Sequence, residues 1–118
     1  EQAPAAYLSW KNRTLMSASM NTVAEGLATN SGFEVPQSIM WDLLDQFLLV
    51  SDEEIELAMT LLIEKAHTLA EAAGAAALAG ALKAKDSISG NKVAIVVSGS
   101  NVTLERLNDA IVRAKSLS

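Results

Sequence analysis

Residues 69–82, LAEAAGAAALAGAL, constrain the fold more than any other part of this chain. Ala and Leu are strong helix formers. The segment carries small or apolar side chains around its whole circumference, the pattern of a helix buried between other elements. Glu71 is its one charge, and the only one between Lys65 and Lys83. Gly74 and Gly80 each cost about 1 kcal/mol relative to Ala in a helix, so close packing against a neighbour is the expected compensation. A helix over 69–85 with no polar face needs cover, from the rest of the chain or from a partner.

The remainder of the composition agrees with a packed protein. Of the 118 residues, 50% are hydrophobic and 19% charged, too apolar a balance for intrinsic disorder. There is no cysteine, which excludes a disulfide scaffold, a thiol nucleophile and a thiolate metal site. The formal net charge of -5 with no basic cluster argues against nucleic-acid binding. The longest apolar run, 72–82, would be roughly 16 Å long as a helix, short of the ~30 Å of a bilayer core. No secretory signal pattern precedes it. The expected location is the cytoplasm, with no membrane partner.

Pattern along the chain predicts alternating helices and strands. Residues 3–10 suit a short helix with Pro4 in its first turn. Residues 12–19 read as loop, 22–28 as a short helix or turn around Gly26, and 30–32 as a breaker. Ile39, Met40, Leu43 and Leu44 mark an amphipathic helix over 36–44. The apolar run 47–50 has the length of a buried strand. Ser51 with Glu54 is a capping box, and Ile55, Ala58, Met59 and Leu62 give the helix it starts a core face to about Lys65. Residues 93–97, VAIVV, are continuously apolar and mostly β-branched, as in a strand covered on both faces. Thr103 can cap a last amphipathic helix, expected to run to Ser118, that contains Leu104, Leu107, Ile111 and Ala114. Two such strands joined through helices indicate an α/β fold with a parallel sheet. Two strands alone do not make a stable sheet of that kind, so the chain reads as part of a larger domain.

Few residues offer chemistry. The loop 98–101, Ser-Gly-Ser-Asn, follows the second predicted strand, where open α/β sheets bind ligands. Small polar residues there also make an ordinary turn. Glu71 is either a helix-start carboxylate favoured by the dipole or a carboxylate in an apolar pocket. His67, the single histidine, fits a C-terminal helix turn better than a catalytic base. The run Asp52, Glu53, Glu54 and Glu56 is explained by capping and a solvated face rather than by a metal. Tyr7, Trp10 and Trp41 read as core or interface anchors.

Five segments taken together carry a resemblance. EQAPAAYLSW at 1–10, NTVAEGLAT at 21–29, FLLVSDEEIELAM at 47–59, LAEAAGAAALAGAL at 69–82 and VAIVVSGSN at 93–101 resemble, in order and spacing, the C-terminal part of the threonine and serine dehydratases. These are pyridoxal-phosphate enzymes of fold type II, a family that includes serine racemase. The resemblance implies a helix-rich C-terminal piece of the large cofactor domain over 1–118, with strands at about 47–50 and 93–97 and no regulatory domain. It implies elimination of water and then ammonia from Thr or Ser, with racemisation of serine as the alternative. A non-enzymatic α/β interaction module is the other class of reading.

The same resemblance implies roles. Ser98 matches the serine that hydrogen-bonds the pyridine nitrogen of the cofactor, and Gly99 and Asn101 belong to the same loop. Gly26 matches a glycine bordering the cofactor, and Glu71 a carboxylate lining the site. The family's usual second loop glycine is Ser100 here, which would be strained if that position needs positive φ. The Ala3 carbonyl matches a donor of the family's cation site, but Ala5 stands in the place of its aspartate. None of the six lysines matches the family's cofactor-bearing lysine, so no catalytic residue is expected within this chain and it is expected to be inactive alone. The expected partners are the N-terminal part of the same enzyme, further copies of the chain, and an amino-acid substrate.

Overall fold

The computed structural model describes residues 1–116. They form two units, Glu1–Leu49 and a second from Val50 onward.

The first unit is built on two short helices held by side-chain to main-chain hydrogen bonds. Helix α1, Ala5–Asn12, follows Pro4 and ends at Arg13, which takes a left-handed φ of 54°. Helix α2, Glu34–Leu43, begins after Phe33 and has Pro36 in its first turn. The indole N–H of Trp10 donates to the Met40 carbonyl (3.2 Å), and that of Trp41 to the Ser9 carbonyl (3.1 Å). Gln37 Nε2 donates to the Ala6 carbonyl (3.0 Å), and the Arg13 guanidinium to the Trp41 carbonyl. Each tryptophan thus buries ring area while its one polar atom stays paired. Tyr7, Trp10 and Phe47 pack as an aromatic cluster with centroids 5.8–6.5 Å apart.

Between these helices the chain makes an excursion closed by an isolated antiparallel bridge, Ser17 to Ser31. Ala18 N–H donates to the Asn30 carbonyl and Gly32 N–H to the Met16 carbonyl, both at 3.0 Å. A 3₁₀ turn, Glu25–Leu27, lies within the excursion. Ser9 is fully buried at its base. Its hydroxyl donates to the Ala5 carbonyl (2.8 Å) and accepts from the Met16 N–H (2.9 Å).

The second unit is helical: α3, Asp52–Ala66; α4, Ala72–Lys83; a short α5, Lys85–Ile88; and α6, Leu104–Ser116. The capping box forms in both directions, with Glu54 N–H on Ser51 Oγ (3.2 Å) and Ser51 N–H on Glu54 Oε2 (2.7 Å). Such a cap stabilises a helix by about 1 kcal/mol. At the other end His67 takes a left-handed φ of 51° and its N–H closes the last turn. The core is Ile55, Ala58, Met59 and Leu62 of α3, Ala75 and Ala79 of α4, and Ala110 and Ala114 of α6. Alanines on α4 and α6 bring their backbones close to the larger α3 side chains. Lys83 Nζ meets Glu54 Oε2 at 3.0 Å, so the end of α4 lies against the start of α3. The two helices therefore run antiparallel.

Three sequence expectations are corrected. The predicted strands 47–50 and 93–97 are absent, and among the described residues there is no sheet; the chain is helical rather than α/β. A strand is a paired state: β-branched side chains favour it, but only a neighbouring ladder satisfies its N–H and C=O groups. No such ladder borders residues 93–97, and Val93, Ile95 and Val96 are 49%, 38% and 74% exposed. The Ala-rich helix is shorter than 69–85, and only Gly74, Ala75 and Ala79 of it are buried, because α3 covers one face. Finally, Glu56 is not on a solvated face. It is 4% exposed, with Oε1 3.1 Å from Arg113 Nη2 of α6. The last helix begins after Thr103 as expected, with Arg106 N–H on Thr103 Oγ1 (3.3 Å); its predicted extension to Ser118 lies outside the described residues.

Glu56 gives the second unit a testable pH dependence. Desolvation by burial raises its pKa above the ordinary glutamate value, Arg113 opposes this, and the negative charges of Asp52, Glu53 and Asp109 add to the rise. The folded protein then holds the Glu56 proton to higher pH than the unfolded chain does. Stability from this group is fully present below about pH 4.3 and is lost as pH rises through the folded pKa. Glu56→Gln mimics the protonated form at every pH. Thermal midpoints of the two proteins are expected to coincide near pH 4 and to separate towards pH 7, with the variant the more stable. A wild type that gains on the variant as pH rises would show that the Arg113 pair outweighs the burial cost.

Candidate functional site

Helix α4 and the segment following residue 97 meet at one place. Glu71 is the N-cap residue of α4, in extended conformation, and its side chain caps no N–H of its own helix. Its backbone N–H instead donates to the Gly99 carbonyl at 3.0 Å. Its carboxylate lies over the Gly99 α-carbon: a Cβ built at Gly99 would overlap Glu71 Oε1 and lie 3.0 Å from Cδ. From the helix side, a Cβ on Gly74 would overlap the Gly99 carbonyl oxygen and lie 3.1 Å from its nitrogen. Gly99 is thus enclosed between the two ends of one helical turn. Missing side chains at 74 and 99 make that approach possible, and no unusual φ is involved.

The neighbours of Gly99 are open. Ser98, Ser100 and Asn101 are exposed. Ser100 takes no positive φ, so the conditional strain at that position is not present. The loop therefore offers the Ser98 hydroxyl, which can donate or accept, beside a carboxylate anchored at a helix start.

Two further sequence candidates belong to the first unit. Gly26 is in the 3₁₀ turn of the first unit, where it is exposed. Ala3 is half-buried in the same unit, next to Gln2, whose carbonyl accepts from Asn21 N–H (2.9 Å). Among the described residues no group of three or more His, Asp or Glu side chains could hold a metal ion. The acidic first turn of α3 is used locally: hydrogen bonds from its backbone and from Ser51 hold Glu53 below the ordinary carboxylate range. Among the described residues no helix is long and apolar enough to cross a membrane.

Residues 1–99 match the family described as pyridoxal-phosphate dependent enzyme. The chain belongs to that family. Membership implies pyridoxal phosphate as the cofactor. Among curated relatives, the chain is 37% identical over 94 residues to the catabolic L-threonine dehydratase of Staphylococcus aureus (strain N315), a match that covers 77% of this chain and 27% of that protein. It is 34% identical over 90 residues to the L-threonine ammonia-lyase of Thermotoga maritima, covering 76% and 22%. The chain thus spans about a quarter of the length of these relatives. Among solved structures, the serine racemase of Dictyostelium discoideum aligns with a TM-score of 0.77 at 33% identity, covering 86% of this chain and 33% of that one. The processed form of threonine deaminase isoform 2 from Solanum lycopersicum aligns with a TM-score of 0.84 at 25% identity, covering 96% and 34%.

The donor set fits the family's cofactor at Ser98. A pyridine nitrogen takes one hydrogen-bonding partner, and the exposed Ser98 hydroxyl, next to a residue with no Cβ, has the chemistry to serve as one. Gly74 is the site member that sequence reasoning treated only as a packing glycine. Its signal was a glycine inside an Ala-rich helix, shared with Gly80, and only three-dimensional placement separates the two: a Cβ at Gly80 meets nothing within 4 Å.

Proposed function

We propose that this chain forms one wall of the pyridoxal-phosphate site of an enzyme that eliminates water and then ammonia from threonine or serine. The observation that carries the reading is the meeting of Glu71, Gly74 and Gly99, which fixes the loop beginning at Ser98 against α4. The names of the relatives support threonine or serine as substrate, with the similarity to a catabolic threonine dehydratase favouring elimination. The likeness to a serine racemase supports racemisation of serine as a second reading.

Bound pyridoxal phosphate supplies an electron sink for carbanion chemistry at the amino acid. The residues of this chain set how strong that sink is. The Ser98 hydroxyl partners the ring nitrogen without holding a proton on it, since a neutral hydroxyl stabilises no positive charge there. Gly99 and Asn101 continue the same loop, Gly26 is the chain's match to a glycine bordering the cofactor, and Glu71 contributes a carboxylate at its edge. The lysine that bears the cofactor and the cradle for its phosphate come from outside these 118 residues. The apolar surfaces exposed here, including Val93, Val96 and the α2 row Val35, Ile39 and Leu43, are covered in this reading by that remaining part or by further copies.

Ser98→Asp in the full-length protein tests the assignment. A carboxylate there would stabilise a proton taken up from water on the ring nitrogen. The visible spectrum of the cofactor is expected to change, and the partition between elimination and other fates of the substrate to shift. An unchanged spectrum with unchanged kinetics would remove Ser98 from the site.

A further inference from the structure

We propose that Gly74 is a positioning residue, one that sets the depth at which the Ser98 loop sits on α4. The inference rests on the functional reading of Ser98 above and adds the device that holds it in place. A Cβ at position 74 would overlap the Gly99 carbonyl oxygen and stand 3.1 Å from the Gly99 nitrogen and 3.4 Å from its carbonyl carbon. All three atoms are backbone, so no rotamer change relieves the overlap; the peptide itself has to move. The same Gly99 carbonyl accepts the Glu71 N–H at 3.0 Å. Glu71 and Gly74 are three apart at the start of one helix and so share a face. The peptide at residue 99 is therefore located by a hydrogen bond at one position and by the lack of a side chain at the other.

Ser98 is joined directly to that peptide. A displacement large enough to admit a methyl group at position 74 shifts the Ser98 hydroxyl with it, and hydrogen bonds weaken steeply with distance and angle. Nothing in this argument needs Gly74 to touch the cofactor. It acts through the backbone of Gly99. Gly80 supplies a matched comparison, because it lies six residues further along the same helix with open space around it.

The experiment compares Gly74→Ala with Gly80→Ala in the full-length protein, by titration with pyridoxal phosphate followed in visible absorbance and by far-UV circular dichroism. Both substitutions replace Gly with the best helix former, so neither is expected to lose helix signal. Gly74→Ala is expected to weaken cofactor binding up to about tenfold, the worth of the one hydrogen bond it displaces, while Gly80→Ala binds as the wild type does. Adding Gly74→Ala to Ser98→Ala is expected to cost nothing further, since its effect passes through Ser98. Wild-type affinity in Gly74→Ala overturns the inference. So does full additivity with Ser98→Ala, or a loss of binding that merely accompanies loss of helix signal. A wild-type protein that binds no pyridoxal phosphate overturns instead the functional reading on which the inference rests.

Discussion

Ile55→Ala is expected to destabilise the second unit by about 2–4 kcal/mol, the cost of a deleted branched side chain whose cavity only partly collapses. Ile55 is 3% exposed on the face of α3 that meets α4 and α6. What surrounds it is poorly able to fill the gap. The buried residues that α4 and α6 bring to this core include Ala75 and Ala79, and Ala110 and Ala114. An alanine has no rotamer with which to enter a void. Repair from α4 or α6 would require whole helices to move, and the Lys83–Glu54 and Arg113–Glu56 pairs join α4 and α6 to α3 near its N-terminus. Urea denaturation should show the midpoint falling with an unchanged slope. A loss below about 1 kcal/mol, less than the least expected of such a truncation, would show that the site relaxes or that these helices are not the core of the unit.

Gly32→Ala is expected to destabilise the first unit by about 2–4 kcal/mol, combining overpacking with disturbance of a buried hydrogen bond. The new Cβ would overlap the Ser9 hydroxyl and stand 2.8 Å from Ser9 Cβ and 3.3 Å from Gln37 Cγ. Ser9 and Gln37 are both fully buried. Neither can retreat cheaply, since the Ser9 hydroxyl is held between the Ala5 carbonyl and the Met16 N–H, and Gln37 donates to the Ala6 carbonyl. Both tryptophans of the chain lie in this unit and bridge α1 to α2, so their fluorescence transition reports the loss. A double-mutant cycle with Ser9→Gly locates the cause. Removing the side chain at position 9 opens the space, and the cost of Gly32→Ala should then shrink by more than about 1 kcal/mol, within the range for residues in contact. Equal costs in both backgrounds would place the strain elsewhere.

Local chemistry was legible in the sequence wherever a few neighbouring residues determine a conformation. Ser51 and Glu54 define a helix start from three residues apart, and both hydrogen bonds form. Ile55, Ala58, Met59 and Leu62 follow the helical period and are all buried. Pro36 sits in a first turn, Pro4 lies one residue earlier than expected, at the cap before α1, and Thr103 caps the last helix. The family, too, was written in the order and spacing of its segments, and the match over residues 1–99 shows it. Pairing between distant residues was not legible, and there the sequence misled. VAIVV has the side chains of a buried strand, but a strand exists only beside another, and the described residues place none along 93–97. Glu56 belongs to an acidic run that looks wholly solvated in one dimension. Its burial against Arg113, 57 positions away, follows from how α6 lies on α3. Gly74 and Gly80 are equivalent in the sequence, two glycines in one Ala-rich helix. Tertiary structure alone sets one against the Gly99 backbone and leaves the other in open space, because the cost of a methyl group depends on which atoms already occupy its place.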